Sequence, residues 1–367
     1  MTLHLKMKDD PGGDVEHGRK IACIEPESPG AMAELVGHVS VVIPAYNAAG
    51  VLRRAVDSVM EQTVRVREII IVDDGSTDGT ADLANSLAAE HAGWITWIQH
   101  PDGKNHGVSA ARNLGIAHCR GEFIAFLDAD DEWLPGKLDA QLRVFAQQPA
   151  VGLVHTFVEL IKDPFASSRI AHVPPLNQRQ VSQPYDCLDT LRFILEKRFV
   201  IYPSTVMLRS RLMQSIGFHE GMHRGEDMLL FAMLAVQTEF YTVAVPLCRY
   251  WLSDTSSTGM IVNQGGGQDI VWLDVQIRVC RFLKTQAGLR EFALEQAQKI
   301  IPNQIRCCRQ LLGDRRWRGP LIRSVLRFVV FFPGPFTAWL WAWVRRKLMV
   351  NRSRTNTAEE NADTRTR

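Results

Sequence analysis

A regular alternation of short apolar runs and amphipathic segments between residues 39 and 127 is the feature that most constrains the fold. Buried strands are predicted at residues 39–43, 68–72, 94–98 and 122–127, where apolar and β-branched residues cluster. Between them, residues 51–60, 81–88 and 109–119 carry apolar side chains at helical spacing, and Ser109 is the expected cap of the third helix. Strands joined through helices need crossover connections, which favour parallel pairing. The pattern therefore predicts an α/β fold with a doubly wound, mainly parallel sheet and helices on both faces.

The remainder of the chain is less regular. Residues 161–190 contain four prolines and are predicted to form an irregular insertion. Strands are expected at residues 200–208 and 240–251, with a helix from about residue 226 to residue 236 between them, and helical periodicity returns at residues 270–312. The predicted division is a disordered leader (1–36), an α/β domain (37–260), a helical extension (261–319), a basic aromatic segment (320–350) and a disordered tail (351–367).

Composition narrows the classes of function. The chain has 46% hydrophobic and 22% charged residues, which is typical of globular proteins, and 42 basic residues against 40 acidic ones leave a net charge of +2. No overall field attracts a polyanion, so no nucleic-acid partner is expected. The seven cysteines include no C-x-x-C pair, which argues against a disulfide framework and favours a reducing, cytosolic setting.

Polar clusters follow three of the predicted strands, at residues 44–47, 73–80 and 128–131. Any one of them has an alternative explanation as turn and cap chemistry. Because ligands bind at the carboxyl ends of parallel strands, the clusters are expected to meet at one edge of the sheet. Their carboxylates would repel one another unless a cation joined them, and Mg²⁺ or Mn²⁺ suits such oxygen ligands together with substrate phosphates. The sequence has no P-loop and no G-x-G-x-x-G motif, so the pattern favours a metal-bound diphosphate of another kind.

Four motifs in this stretch resemble those of the family 2 inverting glycosyltransferases. They are residues 41–47 (VVIPAYN), 71–78 (IVDDGSTD), 110–115 (AARNLG) and 126–131 (FLDADD), in the order and spacing of that family. Weaker similarity continues to about residue 260. The resemblance implies a GT-A-type domain over residues 37–260 that binds a nucleotide-diphosphate sugar and a divalent metal ion.

The resemblance also implies roles for single residues. Those expected around the nucleotide base are Pro44, Tyr46, Asp74 and Arg112. Asp74 would accept a hydrogen bond from a base N–H, Asp128 would hold the ribose, and Asp130 would bind Mn²⁺ or Mg²⁺ between the phosphates. Arg249 lies where the family often has a basic or aromatic lid over the phosphates, although Trp251 stands where histidine is more usual.

An acidic pair at the start of the helix predicted near residue 226 is the candidate general base. Asp227 is favoured and Glu226 is the alternative, because the family has acids at the matching point and inversion by one displacement needs a carboxylate opposite the leaving group. Acids in a first helical turn are also common for their favourable interaction with the helix dipole. Residues 219–223 match the zinc-protease pattern H-E-x-x-H, but Gly221 and Gly225 favour a loop, in which the two histidines would not share a helical face.

Residues 328–344 form a run of 17 uncharged residues, interrupted by proline, between basic clusters. A membrane span needs about twenty apolar residues, so this segment is not expected to cross a bilayer. Its three tryptophans and the flanking Arg345, Arg346 and Lys347 favour contact with an anionic membrane surface. A C-terminal helix packed on the domain is the alternative.

The combined hypothesis is a metal-dependent inverting glycosyltransferase of the hexosyltransferase class, bound peripherally to the cytoplasmic face of the cell membrane. Its donor would be a nucleotide-diphosphate sugar, with a UDP-sugar favoured, and its acceptor a growing glycan or a lipid-linked glycan in cell-surface polysaccharide synthesis. The Gln-x-x-Arg-Trp signature of processive synthases is absent, which favours transfer of a single sugar. A nucleotidyltransferase and a non-catalytic sugar-nucleotide sensor are the alternatives.

Overall fold

The computed structural model describes residues 37–162, 182–196, 201–222, 224–253, 267–311 and 331. Its strands are β1 (Val39–Ala45), β2 (Glu68–Asp73), β3 (Ile95–Gln99), β4 (Phe123–Phe126), β5 (Glu132–Trp133), β6 (Val151–Lys162), β7 (Gln183–Tyr185), β8 (Val206–Arg209) and β9 (Glu239–Leu252). Its helices are α1 (Leu52–Met60), α2 (Thr80–Glu90), α3 (Val108–His118), α4 (Lys137–Gln147), α5 (Cys187–Leu195), α6 (Glu226–Ala235), α7 (Gly267–Thr285) and α8 (Arg290–Leu311). In this described part the strands form one sheet in the order β3-β2-β1-β4-β8-β6-β9-β5, with β7 paired to β9.

The first four strands form a parallel half of the sheet. β1 pairs with both β2 and β4, β2 pairs with β3, and all three pairings are parallel. Helices α1, α2 and α3 provide the crossovers between them, so the carboxyl ends of the strands lie at one edge. The fold predicted from the alternation is confirmed for this half.

The second half of the sheet is mixed, and the prediction of a mainly parallel sheet is wrong there. β8 runs antiparallel to both β4 and β6, and β9 is parallel to β6 but antiparallel to β5 and β7. The insertion predicted to be irregular contains β7 and α5, and β8 begins at Val206 after a short 3-10 turn. Hydrophobic periodicity identifies a strand but does not give its direction, which depends on where the chain re-enters the sheet.

Two apolar cores cover the two faces of the sheet. Along β1, Val42 packs with Phe126 on one face, whereas Val41 and Ile43 pack on the other face with α1. Gly115 lets α3 lie close against β1, because a Cβ atom there would collide with the Val42 side chain. This close approach positions the N-terminal part of α3 beside the strand ends.

Helices α7 and α8 pack on each other, and α7 packs on α6. Their buried residues, among them Leu273, Val279 and Ala293, join the same core as α6. The helical periodicity predicted for residues 270–312 is confirmed as two helices, separated at residues 286–289. Among the residues described, none of the helices is both long and apolar enough to span a membrane.

The leader, the tail and the basic aromatic segment lie outside the described residues, with the exception of Phe331. The guanidinium carbon of Arg281 lies 4.0 Å from the centre of the Phe331 ring. The backbone carbonyl oxygen of Phe331 accepts a 3.0 Å hydrogen bond from Lys284 Nζ. Both partners belong to α7, so this one residue of the segment contacts the helical extension.

Candidate active site

The loops that follow β1 and β2 are joined by hydrogen bonds. Asn47 N donates to Ser76 Oγ at 2.9 Å, and Asn47 Oδ1 accepts from Thr77 N at 2.8 Å. Asn47 adopts a left-handed backbone conformation with φ 49°, which asparagine tolerates better than most residues. Beside this joined pair of loops, Pro44 is buried in β1 and the Tyr46 side chain is 52% exposed. An exposed tyrosine at this edge can stack on a flat ligand.

Asp74 is buried and anchors the loop that precedes α3. Its two carboxylate oxygens accept the backbone N–H groups of His106 and Gly107, each at 2.8 Å. Gly107 occupies the cap position of α3, so the prediction that Ser109 caps this helix is wrong. A carboxylate has further lone pairs, so a contact between Asp74 and a nucleotide base stays a prediction.

A buried ion-pair network joins the end of β4 to the start of α6. Arg112 on α3 is 3% exposed, and it donates from Nη2 to Asp128 Oδ1 at 2.6 Å and from Nη1 to Glu226 Oε1 at 3.1 Å. Burial lowers the pKa of Arg112, but the charges of Asp128 and Glu226 outweigh burial and raise it, so the guanidinium stays charged. The structure thus brings the expected ribose ligand next to the acidic pair. The predicted contact of Arg112 with the base is not tested by this geometry.

Asp130 is suited to bind a metal ion, because the negative charge of its carboxylate is poorly compensated. Burial and the charge of Asp128 raise the pKa of Asp130 to about 6, and among the described residues no side chain donates a hydrogen bond to its carboxylate. A divalent cation would offset this repulsion. The described residues hold no group of three His, Cys, Asp or Glu side chains arranged to bind a metal ion. A divalent ion in a protein can take one or two carboxylates as ligands and complete its coordination with water and substrate phosphates.

Asp131 is a structural residue. Its Oδ2 accepts from Ser204 Oγ at 2.5 Å, and its Oδ1 accepts from Trp251 N at 3.2 Å. Ser204 Oγ also accepts from Asp128 N at 3.0 Å, which ties the segment after β4 to the turn before β8. Sequence reasoning missed Ser204, because one serine in an irregular segment forms no recognisable pattern.

Asp227 is the acid of the pair that Arg112 does not bind directly. Burial and the charge of Glu226 raise the pKa of Asp227 to about 7, while the charge of Arg112 opposes the rise. In the described part of the chain, its carboxylate accepts a 2.7 Å hydrogen bond from the neighbouring Met228 N. A carboxylate with a pKa near 7 is suited to accept a proton at neutral pH. The arrangement favours Asp227 over Glu226 as a base.

Arg249 is already paired with two acids. Its Nη1 lies 3.1 Å from Glu132 Oε1, and its Nε lies 3.2 Å from Glu159 Oε2. A contact of Arg249 with phosphates stays a prediction, and it would compete with these two partners. The guanidinium beside Asp130 is instead that of Arg54.

Arg54 donates from Nη2 to the carbonyl oxygen of Asp130 at 2.8 Å, and its guanidinium carbon lies 4.3 Å from the centre of the Trp251 ring. Arg54 was not among the residues that the sequence indicated as part of the site. One arginine among the polar positions of an amphipathic helix is typical of a solvent-facing residue, so the available signal was weak.

The loop before α6 does not form a zinc-protease helix. Residues 219–222 precede the first turn of α6, as the glycines predicted, and His223 lies outside the described residues. Asn113 on α3 holds this loop, because its Oδ1 accepts from Phe218 N and its Nδ2 donates to Phe218 O, both at 2.9 Å. The two adjacent residues Arg112 and Asn113 therefore both reach the region in front of α6.

Comparison with known proteins agrees with this geometry. A family model for glycosyl transferase family 2 matches residues 40–216. The matched range includes Asp74, Arg112, Asp128 and Asp130 and ends before the acidic pair of α6.

Curated relatives carry the similarity further along the chain. The glycosyltransferase RT0329 of Rickettsia typhi is 30% identical over 237 residues, which cover 64% of this chain and 70% of that protein. TuaG of Bacillus subtilis, a glycosyltransferase named for teichuronic acid biosynthesis, is 31% identical over 137 residues, or 37% of this chain and 53% of TuaG. In three other matches the chain spans 35% or 36% of the length of the curated relative.

Among solved structures, residues 1–349 of Staphylococcus aureus TarS in complex with UDP-GlcNAc superpose with a TM-score of 0.61. The sequence identity is 16%, and the match covers 79% of this chain and 80% of that one. At this identity the likeness concerns the fold, and it supports the predicted GT-A-type architecture.

Proposed function

Because this chain belongs to glycosyltransferase family 2, we propose that it transfers one sugar from a nucleotide-diphosphate sugar to a hydroxyl group of a growing glycan or lipid-linked glycan, with inversion. The observation that carries the proposal is the position of Asp227, whose pKa is raised to about 7, next to the network that joins Asp128 to Glu226. Residues expected to hold the donor and an acid able to accept a proton thereby share one site. A direct displacement needs both.

The donor would bind along the carboxyl ends of the parallel strands. Tyr46 would stack on the base, Asp74 would accept a base N–H, and Asp128 would accept the ribose hydroxyl groups. Support comes from the exposure of Tyr46 and from the rigid contacts that hold both acids in place. Because these contacts are formed without a donor, donor binding would lose little conformational entropy at these residues.

Asp227 would take the proton from the acceptor hydroxyl as that oxygen attacks the anomeric carbon. The bond from the anomeric carbon to the diphosphate breaks in the same displacement, and the nucleoside diphosphate leaves from the opposite face. One displacement inverts the anomeric configuration. The raised pKa of Asp227 supports this role, because a carboxyl group with its ordinary pKa near 4 would be a weaker base.

Asp130 would hold the metal ion, Mn²⁺ or Mg²⁺. When bound, such an ion stabilises the negative charge that develops on the leaving diphosphate. Arg54 donates to the backbone carbonyl oxygen of Asp130 and so fixes the backbone there, and its positive charge acts against the rise in the pKa of Asp130. The poorly compensated charge of Asp130 supports this assignment.

The cellular role that we propose is cell-surface polysaccharide synthesis with a UDP-sugar donor. The name of TuaG and the TarS complex with UDP-GlcNAc support this choice. We also propose that the chain acts at the cytoplasmic face of the membrane through residues 320–350, on the strength of their sequence. The full chain should sediment with anionic liposomes and be released in part by high salt, whereas a chain that ignores such vesicles would contradict the membrane contact.

A screen of nucleotide sugars tests the donor. The purified full chain is mixed with UDP-, GDP- and dTDP-sugars, with Mn²⁺ or with EDTA, and its unfolding temperature is measured. We expect a UDP-sugar to raise it in Mn²⁺, because a ligand at 100 times its Kd stabilises the folded state by about 2.7 kcal/mol. The anomer of the product, read by NMR, then tests inversion. Binding of no nucleotide sugar, or retention of configuration, would overturn the proposal.

A further inference from the structure

The N-terminus of α6 is held by contacts from other elements and has no side-chain cap of its own. Gly225, with φ 73°, precedes the helix. A Cβ atom at Gly225 would collide with Val275 of α7, so α7 closes directly on this turn. Asn113 fixes the loop at Phe218, and Arg112 binds Glu226, the first helical residue. The second helical residue is Asp227, so each of these contacts also bears on its position.

The titratable groups around Asp227 come from four places in the fold. Glu226 belongs to its own helix, Asp128 to the segment after β4 and Arg112 to α3. The Tyr202 hydroxyl, just before β8, stays neutral, because burial and the nearby carboxylates raise its pKa. Arg112 supplies the positive charge in this group. Without it, three carboxylates would face one another in a buried space, and the start of α6 would be pushed away from Asp128.

We propose that Arg112 and Glu226 act as a positioning pair for the catalytic base. Arg112 is fixed on one side by Asp128 and holds Glu226 on the other, so Glu226 is the anchor of α6 and Asp227 presents its carboxylate to the acceptor. The inference rests on the proposed function, in which Asp227 takes the proton.

The burial of the ion pair between Arg112 and Glu226 indicates that the pair serves to position Asp227 and not to stabilise the fold. The desolvation of buried charges can exceed their mutual attraction, so a buried ion pair is weak evidence for a contribution to stability. Here one guanidinium bonds two carboxylates that are 98 residues apart in sequence, 128 against 226. Such a bond restricts the geometry between the expected donor site and the expected base.

The test compares Glu226→Gln with Glu226→Ala in the full chain. Glutamine keeps the size of the side chain and an oxygen that accepts from Arg112 Nη1, whereas alanine removes the anchor. We expect kcat to fall less than about fivefold in Glu226→Gln and about 10- to 100-fold in Glu226→Ala, with the KM for the donor within about threefold of wild type in both. Arg112→Lys should fall between them, because lysine keeps the charge but loses the two-armed geometry.

A pH profile tests whether Asp227 is the group that titrates in catalysis, and the fall of kcat at unchanged KM and unchanged unfolding temperature separates positioning from a purely structural role. In Glu226→Gln the negative charge that raises the pKa of Asp227 is gone, so the acidic limb of the kcat profile should move to lower pH. Arg143→Gln is the matched control, because Arg143 pairs with Asp139 on the surface of α4, and this variant should match wild type. Unfolding temperatures measured for every variant separate a loss of kcat from a loss of folding.

Three outcomes would overturn the inference. If Glu226→Gln loses as much kcat as Asp227→Asn, the carboxylate of Glu226 takes part in the chemistry and is more than an anchor. If Glu226→Ala keeps wild-type kcat while Asp227→Asn does not, the anchor has no role but the proposed function stands. If the wild-type chain binds UDP but transfers no sugar to any acceptor, both the proposed function and the positioning role fall.

Discussion

One acid from each half of the sheet, Asp74 and Glu226, is held in a different way. We call β1–β4 with the loops that follow them the donor half, after the donor site proposed there, and in it Asp74 is fixed by backbone N–H groups of one nearby loop. We call β5–β9 with α6 the acceptor half, after the proposed acceptor site, and in it Glu226 is fixed by the side chain of Arg112 from the other half. Backbone donors are present in every sequence, whereas a buried arginine must be brought in by the fold. The donor half is therefore defined by short motifs, and the acceptor half depends on packing between distant segments.

The largest expected effect comes from a substitution that impairs the acceptor half alone. Asp227→Asn keeps the shape of the side chain but removes its ability to take a proton, so kcat should fall by about 10² to 10⁴. The affinity for UDP, measured by calorimetry, should stay within about threefold of wild type, because the donor half is untouched. Asp139→Asn, at a partly exposed carboxylate of α4 that pairs with Arg143, is the control. An unchanged kcat would remove Asp227 from the chemistry.

The pH dependence sharpens the same comparison. Because Asp227 must be ionised to act as a base and its pKa is about 7, kcat/KM should fall as the pH drops below 7. Half of Asp227 is ionised at pH 7 and about 1% at pH 5, so the rate should fall by about 50-fold between these two pH values. Rates of the wild type and of Asp227→Asn, measured across this range, check the assignment. A wild-type profile that is flat down to pH 5 would contradict it.

A third change breaks the donor half. Asp130→Ala removes the expected protein ligand of the metal ion, so we expect the affinity for UDP in Mn²⁺ to fall at least about tenfold, toward the value that wild type shows in EDTA. Asp57→Ala on α1 provides a carboxylate outside the site as a control. Equal affinities of wild type in Mn²⁺ and in EDTA would mean that donor binding does not use the metal ion.

The smallest expected effects come from two glycines, one in each half. Gly75 has φ 72°, and a Cβ atom there would lie 2.5 Å from Asn105 N. Gly225 has φ 73°, and its Cβ atom would collide with Val275. Each alanine variant should lower UDP affinity or kcat by roughly 5- to 30-fold, which corresponds to about 1–2 kcal/mol. The physical reason is that the left-handed conformation is strained for alanine.

The two glycine variants should affect different parameters. Gly75→Ala should weaken UDP binding, and Gly225→Ala should lower kcat. Adding Val275→Ala to Gly225→Ala relieves the collision and should restore part of the kcat. If both glycine variants change the same parameter, the two halves are not separable.

Much of the donor half could be predicted from the sequence, because its signals are local. Strand runs, helical spacing and the three polar clusters lie within about ninety residues, and the structure confirms the order of elements that they indicate. The predicted cap of α3 was wrong for the same reason. A local rule selected Ser109, whereas Gly107 occupies the cap position and its N–H donates to Asp74, 33 residues earlier in the chain.

The acceptor half could be predicted less well. The helix at residue 226 and its acidic pair were found from local pattern, but the antiparallel entry of β8, the helix α5 and the contacts of Ser204 and Arg54 were not. Each of these depends on which segments meet after the chain has folded.

The sequence by itself determined the parallel βα units and the edge at which the carboxylates gather, because apolar periodicity and residue chemistry act over a few neighbouring residues. The choice of Asp227 as the candidate base came from the resemblance to the family and stays a prediction. The tertiary structure decided that Arg112 binds Glu226, that the pKa of Asp227 is raised and that the guanidinium of Arg54 lies beside Asp130. Charge interactions in a buried space depend on distance and on the exclusion of water. Neither quantity exists until strands and helices far apart in the chain have packed together.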